Sequence, residues 1–367
     1  MIPLPVLAHS DDEVHFLAQG KERKIYRNLL FQHRHGKMTP MEQHKTNNPH
    51  DLLARRFLCN PEWMAELLQL YLKNLDDQQM IALLDLTRLV CRDPVTVSDR
   101  LVEGRGDLRF TTSVKGSDRE SSVYLLFEHQ SYKDSDLCLR GLDHIVQDYK
   151  KFRATTKGRE KLPYPVLVCL YHGKTPWERV PAMDELIEIM PGMQTGLLKY
   201  TLILIDISPL MQEEFVGHPV LQVVLEMLQL ASKGELAANL DRVMARLKSV
   251  SDDPQIYSWL ESFAQYVLST TTLEKEQVAT KFSQAINKKE AYNMVMTTAE
   301  KLWVGGKTEG EIENGRSMVL QALQTKFKTV PEDIERAINQ KNDPIVLKSL
   351  LSQVIMSNTI EDFAEGL

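Results

Sequence analysis

From about residue 48 onward the chain alternates between two hydrophobic periods. In "NNPHDLLARRFL", Leu52, Leu53, Phe57 and Leu58 recur at helical spacing, which predicts a helix with Pro49 in its first turn and Asn48 or Asp51 as cap. "PEWMAELLQLYL" repeats the pattern, with Trp63, Leu67, Leu70 and Tyr71 on one stripe. "GDLRFTTSV" (106–114) and "SSVYLLFEHQ" (121–130) then read as strands joined by the polar turn "KGSDRE". A helix is predicted over 134–152, followed by "PVLVCLYHG" (165–173) and "YTLILIDIS" (200–208). The near-continuous apolar runs of these last two predict central strands covered on both faces. The order helix, hairpin, helix, strand, helix, strand predicts an α/β domain with a mixed sheet. Beyond about residue 215 the strand pattern ends. "HPVLQVVLEMLQLA", "LAANLDRVMARL", "IYSWLESFAQYVL" and "YNMVMTTAEKLW" are helical in period, and 309–367 is helical with breaks at Pro331 and Pro344. The expected organisation is a polar N-terminal extension (1–46), an α/β core (47–215), a helical extension (216–308) and a small helical C-terminal module (309–367).

Composition narrows the functional classes. A net charge of −6 over 367 residues does not favour a nucleic-acid coat protein, although it leaves room for a local basic groove. Cys59, Cys91, Cys138 and Cys169 form no CxxC pair, which points away from a zinc site or disulfide framework and toward a reduced compartment. No apolar run reaches the ~18 residues that a membrane helix needs. The start "MIPLPVLAHSDD" lacks the basic and apolar regions of a secretory signal, so a cytoplasmic location is expected. His9, His15, His33, His35 and His44 lack helical metal spacing and fit an extension better than a metal site.

The end of the second strand, "LLFEHQS" (125–131), poses a problem, because an apolar run closes on an acid, a histidine and an amide that are costly to bury alone. A hairpin centred in the Gly116–Ser117–Asp118 turn pairs residues whose numbers sum to about 235, which places Asp107 opposite Glu128. Cross-strand partners share a face. Leu108, Phe110 and Thr112 then share an apolar face with Phe127, Leu125 and Val123, and Asp107, Glu128 and Gln130 gather on the other. A slip of one residue would put an acid on the apolar face. Two adjacent carboxylates repel unless a cation lies near. Mg²⁺, or Mn²⁺ in its place, suits such oxygen ligands and would also polarise a phosphodiester. Solvated acids at a polar strand end are the other reading.

These stretches resemble the PD-(D/E)xK nuclease superfamily, and more closely the recombination-promoting nuclease, or YhgA-like transposase, family. The matching segments are "PHDLLARRFL", "DLTRL", "GDLRF", "YLLFEHQS", "LRGLDHIVQDY", "LPYPVLVCLYHGKTPW" and "MTTAEKLWVGGKTEGEIENGR", in order over 48–316. The resemblance implies a restriction-endonuclease-like mixed sheet flanked by helices and a Mg²⁺-dependent DNA endonuclease linked to recombination. It makes Asp107 and Glu128 the metal ligands and completes the catalytic set with Gln130; the endonuclease reading leaves room for the carbonyl of His129 as a further donor. The wider superfamily usually has Lys where Gln130 stands, and Gln supplies no charge. The tail after 309 resembles a helical module attached to such nucleases, with a bundle docking on itself or on a second copy as the simpler reading.

Other residues join as candidates. Arg140 would lie on the helix after the hairpin, either touching phosphate, as the resemblance implies, or paired with Asp136 at helical spacing. "YKKFRATTKGREK" (149–161) carries six basic residues and one acid, so Lys150, Lys151 and Arg153 could track a DNA backbone or form a solvated loop. Asp51, His129 and His172 could line the cleft or serve structure. "GGKT" (305–308) is no P-loop, since Lys301 occupies the position of the first glycine. Two rivals to the endonuclease stay open. One is a weak or inactive nuclease-fold protein that binds DNA or protein. The other is a partner-binding or self-associating helical half, about 216–367, on an α/β scaffold.

Overall fold

The computed structural model describes residues 49–92, 108–117, 119, 123–156, 160–188 and 200–367. The expectations for 1–46 and for Asp107 lie outside the described residues.

Helix α1 (Pro49–Leu58) starts on its proline, so Asp51 stands in its first turn rather than at the cap. Helix α2 (Pro61–Leu70) is capped by Asn60, whose side chain accepts from the Glu62 amide at 2.8 Å. Helix α3 (Leu75–Ala82), capped by Asn74, and strand β1 (Leu84–Cys91) were not foreseen. The register of β1 against its neighbour shifts between Asp85 and Val90, which breaks the period-two alternation that would mark a strand.

Strands β2 (Leu108–Val114) and β3 (Val123–Gln130) form the expected antiparallel pair, with Leu108 opposite Phe127, Phe110 opposite Leu125 and Thr112 opposite Val123. All six are buried on one face. Helix α4 (Leu137–Thr156) then crosses over to β4 (Tyr164–Tyr171), parallel to β3, and β5 (Thr201–Asp206) lies parallel to β4. The sheet order is β1-β2-β3-β4-β5.

One expectation fails here, and a second, the helix between β4 and β5, falls in part on 189–199, outside the described residues. Among the described residues β5 pairs with β4 alone, so it is an edge strand rather than a central one. Its Ile203 and Ile205 are buried, which shows that an apolar run reports covered faces, not the number of paired neighbours. No α-helix is found between β4 and β5 in the described residues. A single 3-10 turn, Met183–Glu185, stands there.

The helical half follows as α5 (Pro219–Lys233), α6 (Leu236–Ala245), α7 (Ile256–Thr270), α8 (Lys275–Ile286), α9 (Lys289–Phe327), α10 (Glu332–Asn339), α11 (Pro344–Met356) and α12 (Ile360–Ala364). Gly234, at φ 76°, closes α5 in the left-handed region, where glycine is favoured. Pro344 opens α11, and Asp343 caps it with a 2.8 Å bond to the Ile345 amide. The "GGKT" stretch lies inside α9, in keeping with the rejection of a phosphate loop.

One contiguous core runs from α1 and α2, through one face of the sheet, to α5–α8 and the first half of α9. The other face packs Leu126, Leu167, Cys169 and Tyr171 against Leu137 of α4 and Trp177. A separate small core joins the second half of α9 to α10, α11 and α12 around Val319, Leu323, Ile338, Leu347 and Phe363. Helix α9 runs unbroken through position 309 between the two.

Candidate functional site

Glu128 lies two residues before the end of β3, on the face covered by α4. It is 2% exposed, and Gln130, two residues on, is 7% exposed. The Gln130 Nε2 donates to Glu128 Oε2 at 3.2 Å, so the amide and the acid meet as their shared face requires. Arg140 reaches the same oxygen from the first turns of α4, with Nη2 at 2.7 Å, while its Nη1 donates to Asp134 Oδ2 at 2.5 Å. The crossover geometry explains the meeting. Helix α4 leaves from the carboxyl end of β3, and its buried stripe (Leu137, Cys138, Gly141, Ile145) lies on the sheet. A Cβ at Gly141 would come within 2.5 Å of Leu167, so glycine permits the close approach that carries Arg140 in.

The expected pairing of Arg140 with Asp136 is therefore replaced by Glu128 and Asp134. Burial alone would lower the guanidinium pKa, but its hydrogen bond and charge pairing with Glu128, and then Asp134, outweigh this and raise it. Asp134 was missed because it lies six residues before Arg140, outside helical contact spacing.

Asp51, His129 and His172 assemble on the other face, where alternation sends His129. His129 Nδ1 lies 4.0 Å from Asp51 Oδ1. The His129 and His172 rings stack at 5.9 Å, and His50 lies 5.3 Å from His172. His172 is fully buried, its Nδ1 2.8 Å from Ser232 Oγ. Burial first, then the neighbouring His129 and His50, hold its pKa well below the ordinary histidine range. His50, 2.8 Å from Tyr266 Oη, is lowered by burial as well.

Lys150, Lys151 and Arg153 do not join Glu128. They sit near the far end of α4, and at 1.5 Å per residue Lys150 and Arg153 lie about 15 and 20 Å along the axis from Arg140. Lys151 is 3.8 Å from Asp148, and Arg153 Nη1 donates to the Glu160 carbonyl at 2.5 Å. Asp148 is itself buried and accepts from Arg109 Nε at 2.9 Å. Among the described residues no group of three or more His, Cys, Asp or Glu side chains forms a metal cage. The donors gathered on β3 are oxygen and amide rather than sulfur, a set that suits a hard cation.

The mixed sheet thus brings a buried acid, an amide and an arginine together at one strand end. The family described as "Putative transposase, YhgA-like" matches residues 48–256, and the chain belongs to it. It is 24% identical over 305 residues to the inactive recombination-promoting nuclease-like protein RpnE of Escherichia coli K12, covering 81% of this chain and 95% of that protein. It is 25% identical over 240 residues to the recombination-promoting nuclease RpnD of E. coli O157:H7, covering 64% and 86%. Against RpnA of E. coli K12 the identity is 25% over 234 residues, covering 63% and 75%. No solved structure matches. No helix among the described residues is long and apolar enough to cross a membrane.

Proposed function

We propose that the chain is a metal-dependent DNA endonuclease with a restriction-endonuclease-like core and its reaction centre at the carboxyl end of β3. The observation that carries this reading is the buried Glu128 carboxylate bound by both Gln130 and Arg140. Glu128 and Asp107 would hold Mg²⁺. The β2–β3 register, in which paired numbers sum to 235 at each described pair, is the one on which the sequence pattern sets the hairpin. A bound Mg²⁺ would polarise the phosphodiester and lower the pKa of its water. Gln130 cannot take a proton, so its role is to orient water or a phosphate oxygen. Arg140 provides, from α4, the positive charge that Gln130 lacks, and a planar guanidinium suits the equatorial oxygens of a phosphorane.

Supercoiled plasmid incubated with Mg²⁺ should be nicked by the wild-type protein, and not by Asp107→Ala, Glu128→Gln or an EDTA-treated sample. Equal nicking by wild type and Asp107→Ala would remove the assignment.

A second reading is a nuclease-fold protein that binds DNA without cutting it. Arg140 already occupies an oxygen that a metal would use, and one relative is named inactive. Calorimetry separates the two. Loss of a millimolar or tighter Mn²⁺ site on Glu128→Gln supports the enzyme, and absence of divalent binding to wild type supports the binding protein.

A further inference from the structure

Beside the reaction centre, an open cavity of about 570 Å³ is lined in part by His50, Ser131, Lys133, Lys174, Thr175 and Ser232. Ser131 and Lys133 follow directly on β3, and Lys174 and Thr175 follow on β4. Because the two strands are parallel neighbours about 4.8 Å apart, both exits open on one side. The second exit is a built turn. Tyr171 Oη donates to the Thr175 carbonyl at 2.9 Å, and the Trp177 amide donates to Asp206 Oδ2 at 2.8 Å. The Tyr171 and Trp177 rings meet edge to face at 5.1 Å. A Cβ on Gly173 would fall 2.2 Å from Tyr171 Oη, so only glycine lets the chain fold back over that ring. Lys174 is thus carried on a fixed loop.

The charges there are unbalanced. Among the described residues neither Lys133 nor Lys174 has an acid within ion-pair distance, whereas Lys151, Lys288 and Lys301 each do, at 3.8, 3.1 and 2.9 Å. Ser232, held by His172 at 2.8 Å, adds an oriented hydroxyl. Two cations, hydroxyls and an imidazole around open space match the oxygens of a phosphate. In a chain of net charge −6 this local excess of positive charge is not a general property of the surface.

We propose that this cavity holds a backbone phosphate of a bound nucleic-acid strand, one that flanks the phosphate at Glu128. The choice of a polymer over a free anion rests on the nuclease reading and on adjacency. Tyr171, in the cavity wall, is the register partner of Gln130, and Ser131 is the next residue in the chain. Lys150, Lys151 and Arg153, near the other end of α4, cannot serve the same phosphate.

The test is the affinity of a fluorescein-labelled 20-base-pair duplex, measured by anisotropy in EDTA over a salt series, for wild type and for the Lys133→Ala/Lys174→Ala double substitution. Both lysines are exposed, so the fold should survive, with an unchanged melting curve as the check. The expected result is at least tenfold weaker binding at low salt and a slope of log K against log[salt] shallower by about one to two. Unchanged affinity and slope would overturn the assignment. If the double substitution abolishes calorimetric binding of inorganic phosphate but leaves duplex affinity untouched, the cavity takes a free anion and the nucleic-acid assignment is likewise overturned. Since binding is read without metal, wild type that fails to nick plasmid but shows the lysine-dependent slope would refute the nuclease reading and leave this one standing.

Discussion

Replacing Arg140 with methionine keeps the apolar stem of the side chain and deletes its charge. In the folded protein that charge lies 2.7 Å from Glu128 Oε2, with the arginine side chain 35% exposed and the glutamate 2% exposed. Breaking a fully buried ion pair costs about 3–5 kcal/mol, because the remaining charge stays desolvated. Exposed pairs are worth at most about 1 kcal/mol. Here one partner is buried and the other a third open to water, so the cost should fall between these limits, at about 2 kcal/mol. With a urea m-value of roughly 2 kcal/mol/M, the unfolding midpoint should drop by about 1 M. The source of the loss can be isolated. In Glu128→Gln the carboxylate is gone, so Arg140→Met added to it should cost less, leaving a coupling energy of about 1 kcal/mol or more in the double-mutant cycle. A midpoint shift for Arg140→Met below about 0.25 M, or additive effects in the cycle, would refute the claim that Arg140 compensates a buried charge.

Gly173→Ala should destabilise by about 2 kcal/mol, because its Cβ would overlap Tyr171 and disrupt the turn through Thr175, and a urea midpoint equal to wild type would count against this packing. Glu226 is 1% exposed and bound by Arg242 and by Arg246 Nε at 2.8 Å, so Glu226→Gln should cost about 3 kcal/mol in equilibrium unfolding, and a loss below about 1 kcal/mol would place the pair in water. His50 and His172 both bind protons less readily than the reference histidine at 6.5, so the unfolded chain takes up more protons below that pH. Stability should therefore be full above pH 6.5 and fall as the pH drops toward the depressed native values, by up to about 1.4 kcal/mol per pH unit for each ring. His172→Asn should flatten that decline in denaturation series between pH 7 and 5, and an unchanged slope would show that His172 titrates normally.

The hairpin register, the apolar face of β2 and β3 and the meeting of Glu128 with Gln130 were all legible in the sequence. Each follows from the two-residue period of a strand and the centre of one turn, both local properties. The helical half was readable for the same kind of reason, with a period of 3.6 in place of 2. What local pattern could not convey was which elements would meet. Arg140 carries no mark in its own helix that points to Glu128, and Asp136 is the partner that helical spacing offers. The ion pair with Glu128 and Asp134 arises because the crossover from β3 to β4 lays α4 across the sheet, with Gly141 letting it approach Leu167. The same crossover sends Lys150, Lys151 and Arg153 to the opposite end of the sheet, although they lie only 10 to 13 positions beyond Arg140 in sequence. The cavity between Lys133 and Lys174 joins segments about 40 residues apart, and it exists because two parallel strands end side by side. The sequence by itself determined the strands, the helices and which side chains share a face, since those depend on periods within a few residues. The tertiary structure alone decided which charges compensate one another and where the open positive space lies, since those depend on the path of the chain between elements distant in sequence.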